Sequence, residues 1–321
     1  MFYKQKNIDL KGINFADNLI YLLFSFIRAI RPLQWSKNLL VFAALLFSFQ
    51  FNLSIFIKSI YGFISFCFIS SAIYLFNDIR DISKDKLHPT KRFRPIANGD
   101  ISILFAKISS IIMGFISLKI AYIISKEFLF IILLYLLIQI AYCLKFKREP
   151  LLDIFCIASG FLLRAISGLV ATKLDFSPWF ILTIGLLALF LAVEKRKAEV
   201  ILYKKTLIAT RDILSIYSLP LLLRYESLLV SGTFISYSLW ALGPSLNGAS
   251  SPWMLITLPL VLMGLFRYQF ISDPEVSEKR KLHGKYLSAE NPELILIHDK
   301  GIRTVILLWL FSVIIVGKFF H

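Results

Sequence analysis

The apolar residues of this 321-residue chain come in blocks of about 20, and that spacing limits the available folds more than any other feature. A helix of that length crosses roughly 30 Å of hydrocarbon. A soluble domain has a similar apolar total but scatters it. Nine spanning segments can be drawn, near 36–52, 55–76, 102–123, 127–145, 151–171, 177–195, 219–243, 252–271 and 301–318. The first is short for a span. Residues 18–31 read as an amphipathic lead-in helix at the interface that stops at Pro32. The fold expected is all-α: a polytopic membrane protein with about nine transmembrane helices, forming one domain over 1–321 with 1–35 as an N-terminal interfacial lead-in.

The net charge of +16 would suggest nucleic acid on a soluble protein. Here the loops explain it. With the N-terminus inside, the inside segments 1–37, 78–101, 145–150, 195–216 and 267–303 hold 28 of the 36 Lys and Arg residues, and the outside connections hold five. That asymmetry predicts a cytoplasmic N-terminus, an outside C-terminus and no nucleic-acid partner. No cleavable signal peptide is expected, because the first 18 residues are mixed polar. Cys67, Cys143 and Cys156 fall inside apolar blocks at spacings that match no zinc motif, and read as small core residues.

The long inside loop after the second apolar block carries the most chemistry. It begins Tyr74-Leu-Phe-Asn77-Asp78-Ile-Arg-Asp81-Ile-Ser-Lys-Asp85. Asp78, Asp81 and Asp85 at i, i+3 and i+7, with Asn77, share one helical face. Three carboxylates and an amide on one stripe repel each other unless a cation lies among them. Hard oxygen donors suit Mg2+, which completes its shell with water and phosphate oxygens. The plainer alternative is a solvated helix end whose acids pair with Arg80, Lys84 and Lys86. The following residues favour the metal: Pro89 ends the helix, Pro95 and Asn98-Gly99 turn the chain back, and Lys91, Arg92 and Arg94 return toward the acids. Cations beside a metal cluster make sense for a ligand with several phosphate charges. His88, ahead of a proline and without an identifiable partner, reads as structural.

This pattern, Asn-Asp-x-x-Asp-x-x-x-Asp followed by His88-Pro-x-Lys91-x-x-Arg94-Pro, resembles the first aspartate-rich motif of the UbiA superfamily of intramembrane prenyltransferases. The resemblance implies a nine-helix bundle, Mg2+ at Asn77, Asp78, Asp81 and Asp85, and catalytic roles for those three aspartates with Lys91 and Arg94. The superfamily usually has a second acidic motif after its sixth span. Here that place reads Glu194-Lys195-Arg196-Lys197-Ala-Glu199, which departs from the pattern and places cations between two glutamates. This variant resembles the decaprenyl-phosphate phosphoribosyltransferase branch. Further pieces agree: Arg31-Pro-Leu-Gln-Trp-Ser-Lys37-Asn38, Tyr142-x-x-Lys145, Gly160-Phe-x-Leu-Arg164, Tyr237-x-Leu-Trp240, and Asn291-Pro-Glu293 with Asp299.

By that resemblance the substrate-binding residues are Lys37, Asn38, Asn77, Lys145, Arg164, Glu194, Lys195, Arg196 and Glu199. Arg164 lies near mid-membrane, where a charge costs at least about 2.5 kcal/mol. An anionic ligand or a tie to an intramembrane acid or carbonyls would each explain it. Asp153 reads equally as a fourth acidic ligand or as a helix N-terminal charge. The implied reaction is transfer of 5-phosphoribose from phosphoribosyl pyrophosphate to a polyprenyl phosphate lipid, at the cytoplasmic face of a bacterial inner membrane, as part of cell-wall synthesis. Two other readings stay open: a prenyltransferase acting on an aromatic or quinone precursor, and a transporter or lipid-binding protein using magnesium only structurally. Homo-oligomers are compatible with each.

Overall fold

The computed structural model describes residues 15–48, 52–87, 91–174, 177–206, 212–246, 248–249, 251–273, 275–276, 295 and 298–319. His88, Asn291 and Glu293 lie outside them. The helices are α1 (Phe15–Ile30), α2 (Ala43–Ser48), α3 (Leu53–Arg80), α4 (Ile82–Leu87), α5 (Pro95–Asn98), α6 (Ile103–Ile124), α7 (Lys126–Leu144), α8 (Leu152–Thr172), α9 (Pro178–Thr206), α10 (Leu219–Ala241), α11 (Leu258–Ser272) and α12 (Lys300–Phe319). A 3₁₀ segment, Pro32–Phe42, leads into α2, and a 3₁₀ turn, Pro252–Thr257, leads into α11. No strand forms among the described residues, so the all-α expectation holds.

Among the described residues seven helices are long and apolar enough to cross a membrane: α3, α6, α7, α8, α9, α11 with its 3₁₀ lead-in, and α12. Large apolar side chains such as Ile111, Phe115, Tyr122 and Ile123 stand exposed on α6, as a lipid-facing helix requires. Two of the nine expected spans differ. Helix α10 has 23 residues but carries Arg224 and Glu226 in its first two turns. The segment expected as a first span is the 3₁₀ run followed by the six-residue α2. Eleven residues is a long run for 3₁₀ geometry. Tertiary anchors account for it. Asn38 is fully buried and bonded to Arg164, and the Val41 carbonyl lies so close to Gly168 of α8 that no Cβ fits there.

The chain divides into two compact units, residues 1–33 with 70–114, and residues 34–69 with 115–321. In the smaller unit α1 packs on α5. Ser71 donates to the Ile30 carbonyl at 3.1 Å, Ser110 to the Ala72 carbonyl at 2.8 Å, and Phe26 meets Phe105 edge-on. Pro95 starts α5 and Gly99, at φ +89°, ends it in the left-handed region open to glycine. This turn returns the chain after the acidic loop. The buried face of α1 is small and polar, with Ser25 and Ala29, while Leu19, Leu23, Phe24 and Ile27 are exposed. The helix is thus two-faced, the pattern on which the lead-in expectation for residues 18–31 rests.

In the larger unit α9 packs against α8 and α10, and α11 against α12. Ala158, Ala188, Ala192 and Val193 let α8 and α9 approach closely, with Leu222 of α10 in the same cluster. Small residues at a helix contact are the usual means of close packing in lipid, where burial adds little driving force. All three cysteines are free and buried, as expected of core residues.

Candidate active site

The acidic motif starts on the last turn of α3 and continues through α4. The backbone stays helical across the junction: Asp81 donates to the Asn77 carbonyl at 2.9 Å and Asp85 to the Asp81 carbonyl at 2.8 Å. Of the expected stripe, Asp78 and Asp85 are brought onto one side, where both accept from Arg94. Both are buried, at 2% and 4% exposure, whereas Asn77, Asp81 and Lys91 are half-buried.

The short helix α5 and the 3₁₀ turn Lys91–Phe93 position Arg94. Its Nη1 donates to Asp78 Oδ1 at 3.0 Å and to Asp85 Oδ2 at 2.7 Å. A second guanidinium joins them. Arg31 Nη2 donates to the same Asp78 oxygen at 2.5 Å, and its carbon lies 5.0 Å above the Tyr74 ring. Sequence reading placed Arg31 only within a family-like opening segment and gave it no role. Its position immediately before Pro32 was the available signal, because the structure holds it at φ +55°, an unusual conformation for a non-glycine residue and more so ahead of proline. Burial raises the Asp85 pKa above the usual carboxylate range, and the nearby Arg94 opposes this.

Among the described residues no three carboxylate, imidazole or thiol side chains converge as a ready metal cluster. The reason is visible at Arg94. A single guanidinium nitrogen occupies the position between Asp78 and Asp85 that a cation would bridge. The donor set itself fits Mg2+: two buried, hard carboxylate oxygens brought to one point, with the rest of the shell left for water and phosphate.

In the larger unit the second motif takes a form the sequence did not reveal. Arg196 is fully buried. Its Nε donates to Asp153, its Nη1 to Glu199 and its Nη2 to the Tyr142 hydroxyl. Tyr217 donates to Asp153 at 2.7 Å, and the backbone N–H of Leu151 donates to the Tyr217 hydroxyl. Burial, and then the bond to Asp153, raise the Tyr217 pKa. One helical face away, Lys197 Nζ donates to Glu194 Oε1 and Glu226 Oε2, both at 2.6 Å, and Gln269 donates to the other Glu226 oxygen. Arg196, Glu194 and Glu199, the residues expected to contact substrate, meet other side chains of this unit. Each is already committed to an internal ion pair, and Arg196 and Glu194 have no solvent exposure. Asp153 is neither a ligand in waiting nor a simple end-of-helix charge; it is the buried counter-ion of Arg196.

Arg164, also expected to bind substrate, is held by internal partners. It is 4% exposed and donates to Asn38 Oδ1 at 2.6 Å, the Gly160 carbonyl at 2.6 Å and the Tyr135 hydroxyl at 2.8 Å, with Phe66 and Tyr135 offering ring faces. The tie to a carbonyl is thus the alternative the structure takes. Asn38, expected to bind substrate, spends its amide on Cys67 and its oxygen on Arg164. Three expected cations of this unit keep some solvent access. Lys145 is exposed at the end of α7, Lys195 is half-buried, and Lys37 is half-buried, bonded to Gln34 and 6.0 Å from the Phe161 ring.

Residues 38–289 match the model of the UbiA prenyltransferase family. The decaprenyl-phosphate phosphoribosyltransferase of Mycobacterium tuberculosis is 32% identical over 292 residues, covering 89% of this chain and 92% of that protein. The protein of the same name from Corynebacterium glutamicum is 32% identical over 308 residues, covering 94% and 87%. Among solved structures, a UbiA homolog from Archaeoglobus fulgidus bound to GPP and Mg2+ superposes with a TM-score of 0.67 at 21% identity, over 92% of this chain and 99% of that one. The family match, the relatives and the fold agree: this chain belongs to the UbiA prenyltransferase family and is a membrane-embedded transferase.

Proposed function

We propose that this transferase moves 5-phosphoribose from phosphoribosyl pyrophosphate to a polyprenyl phosphate and releases pyrophosphate. The similarity to decaprenyl-phosphate phosphoribosyltransferases over about nine-tenths of both chains carries this reading. The second motif supports it. Each of its glutamates is paired with a neighbouring cation, Glu199 with Arg196 and Glu194 with Lys197, unlike a plain acidic pair.

In this reading Asn77, Asp78, Asp81 and Asp85 hold Mg2+, which when bound neutralises charge on the departing pyrophosphate. Arg94, with Lys91 near it, takes pyrophosphate oxygens. The C1–O bond to pyrophosphate breaks as the bond from C1 to the acceptor phosphate forms. Placing cations where the leaving group gathers charge is the main work. The acceptor is already anionic at neutral pH, its second pKa being about 6, so no general base is required. Lys37, Lys145 and Lys195 keep the access that anionic phosphate binding needs. The Lys and Arg asymmetry puts the N-terminus and the acidic loop at the cytoplasmic face of a bacterial plasma membrane, where the soluble donor is present.

Purified protein with Mg2+, labelled phosphoribosyl pyrophosphate and polyprenyl phosphate should form a labelled lipid and release pyrophosphate. Lack of product, together with transfer from a prenyl pyrophosphate to an aromatic acceptor, would reverse the proposal.

A further inference from the structure

Four charges around Asp78 pair with one another. Two buried carboxylates, Asp78 and Asp85, are neutralised by two guanidinium groups, Arg31 and Arg94, that are about a quarter exposed. Asp78 Oδ1 accepts from both arginines, and Arg94 Nη1 spans both acids. The metal-ligand oxygens are therefore the same oxygens that hold the arginines. A bare divalent cation arriving here has to displace both guanidinium groups and leave them without counter-ions. Because the arginines reach solvent, parting these pairs carries a modest cost, which a metal arriving alone has to meet without compensation. A cation that arrives with pyrophosphate meets a different balance. The metal takes the carboxylates while the anionic oxygens of the ligand take the arginines, so every charge keeps a partner.

Resting on the Mg2+–pyrophosphate reading above, we infer that Arg31 is a pyrophosphate-binding residue and that, with Arg94, it blocks the carboxylates against metal alone, so that metal and pyrophosphate bind as a coupled pair. The backbone agrees. Arg31 is held in a strained left-handed conformation before Pro32, with its side chain stacked over Tyr74 and drawn onto Asp78. Strain of this kind persists where surrounding contacts enforce it, and gathers at ligand clamps. A purely structural arginine would not need to share the very oxygen required by a metal.

The coupling has a signature that a structural role lacks, because removing Arg31 should move two affinities in opposite directions. Full-length protein in detergent is titrated with Mn2+ alone, reading free Mn2+ by electron paramagnetic resonance, and then with preformed Mn2+–pyrophosphate. Arg31→Gln should bind Mn2+ alone about tenfold tighter than wild type and Mn2+–pyrophosphate about tenfold weaker, within the usual range of coupling between sites. Arg31→Lys keeps the charge but loses the fork, and should show the same opposed shifts at smaller size. It also serves if Arg31→Gln does not fold. Both affinities falling together, or neither moving, overturns the inference while leaving the pyrophosphate site intact. Wild-type protein that binds Mn2+–pyrophosphate no better than an Asp78→Asn variant overturns the pyrophosphate reading and this inference with it.

Discussion

The chain carries two sets of alternating acids and bases that look alike in sequence and differ in solvent access. Around Asp78, the arginines are 25% and 24% exposed, and the pairs share oxygens and nitrogens in a chain that can open at either end. Around Arg196, guanidinium and Asp153 have no exposure at all, and Glu199 has 14%. Lys197, Glu194 and Glu226 are closed to a similar degree. An ion pair that water or ligand can reach exchanges partners at modest cost. One sealed in a helix bundle does not, since separating it strands a charge in a low-dielectric interior. The first set can therefore act on a ligand, while the second fixes the positions of α8, α9 and α10.

The sharpest way to break this contrast is Arg196→Met. It removes the cation that Asp153 and Glu199 share. The expected loss is about 3–5 kcal/mol of stability, the usual result of orphaning a buried charge. Thermal unfolding in detergent would show it as a large fall in midpoint or as failure to accumulate folded protein. A variant with wild-type stability and no transfer activity would instead return Arg196 to the substrate site.

Asp78→Asn tests the open set. The arginines it leaves behind reach solvent, so stability should change by less than about 1 kcal/mol. Transfer should fall by about 100- to 1000-fold, the scale on which removing one electrostatic stabiliser acts. Equal loss of stability and activity would make the acidic cluster scaffold, and the distinction between the two sets would collapse.

How much of this was visible in sequence depends on the distance over which each feature is fixed. The apolar blocks and the acidic stripe are local: Asn77, Asp78, Asp81 and Asp85 lie within three helical turns, so their common face follows from helical period. The sealed set is not local. Glu199 lies three residues from Arg196, but Asp153 is 43 away, and Glu226 is 29 from Lys197. Without those partners a Lys-Arg-Lys run looks like a phosphate grip. Residues 36–52 were read as a span for the same reason. Their apolar content is a local property, whereas the bond from Arg164 to Asn38 and the approach of Val41 to Gly168 each cross more than 120 residues. Arg31 is the reverse case: a local signal, arginine before proline, whose meaning came only from Asp78, 47 residues on.

The smallest expected effect belongs to Lys195, which sits between the two sealed pairs yet is half-buried. Its neighbours point inward on α9, so successive positions around the helix divide the motif into buried and accessible charges. Lys195→Gln should leave the unfolding midpoint within the roughly 0.5 kcal/mol typical of surface changes. If Lys195 meets the acceptor phosphate, the Michaelis constant for polyprenyl phosphate should rise about fivefold to tenfold with kcat little changed, equivalent to about 1–1.4 kcal/mol of binding common to ground and transition states. An unchanged Michaelis constant would extend the sealed character of Arg196 to the whole motif, and would leave Lys37 and Lys145 as the accessible cations of this unit for the acceptor.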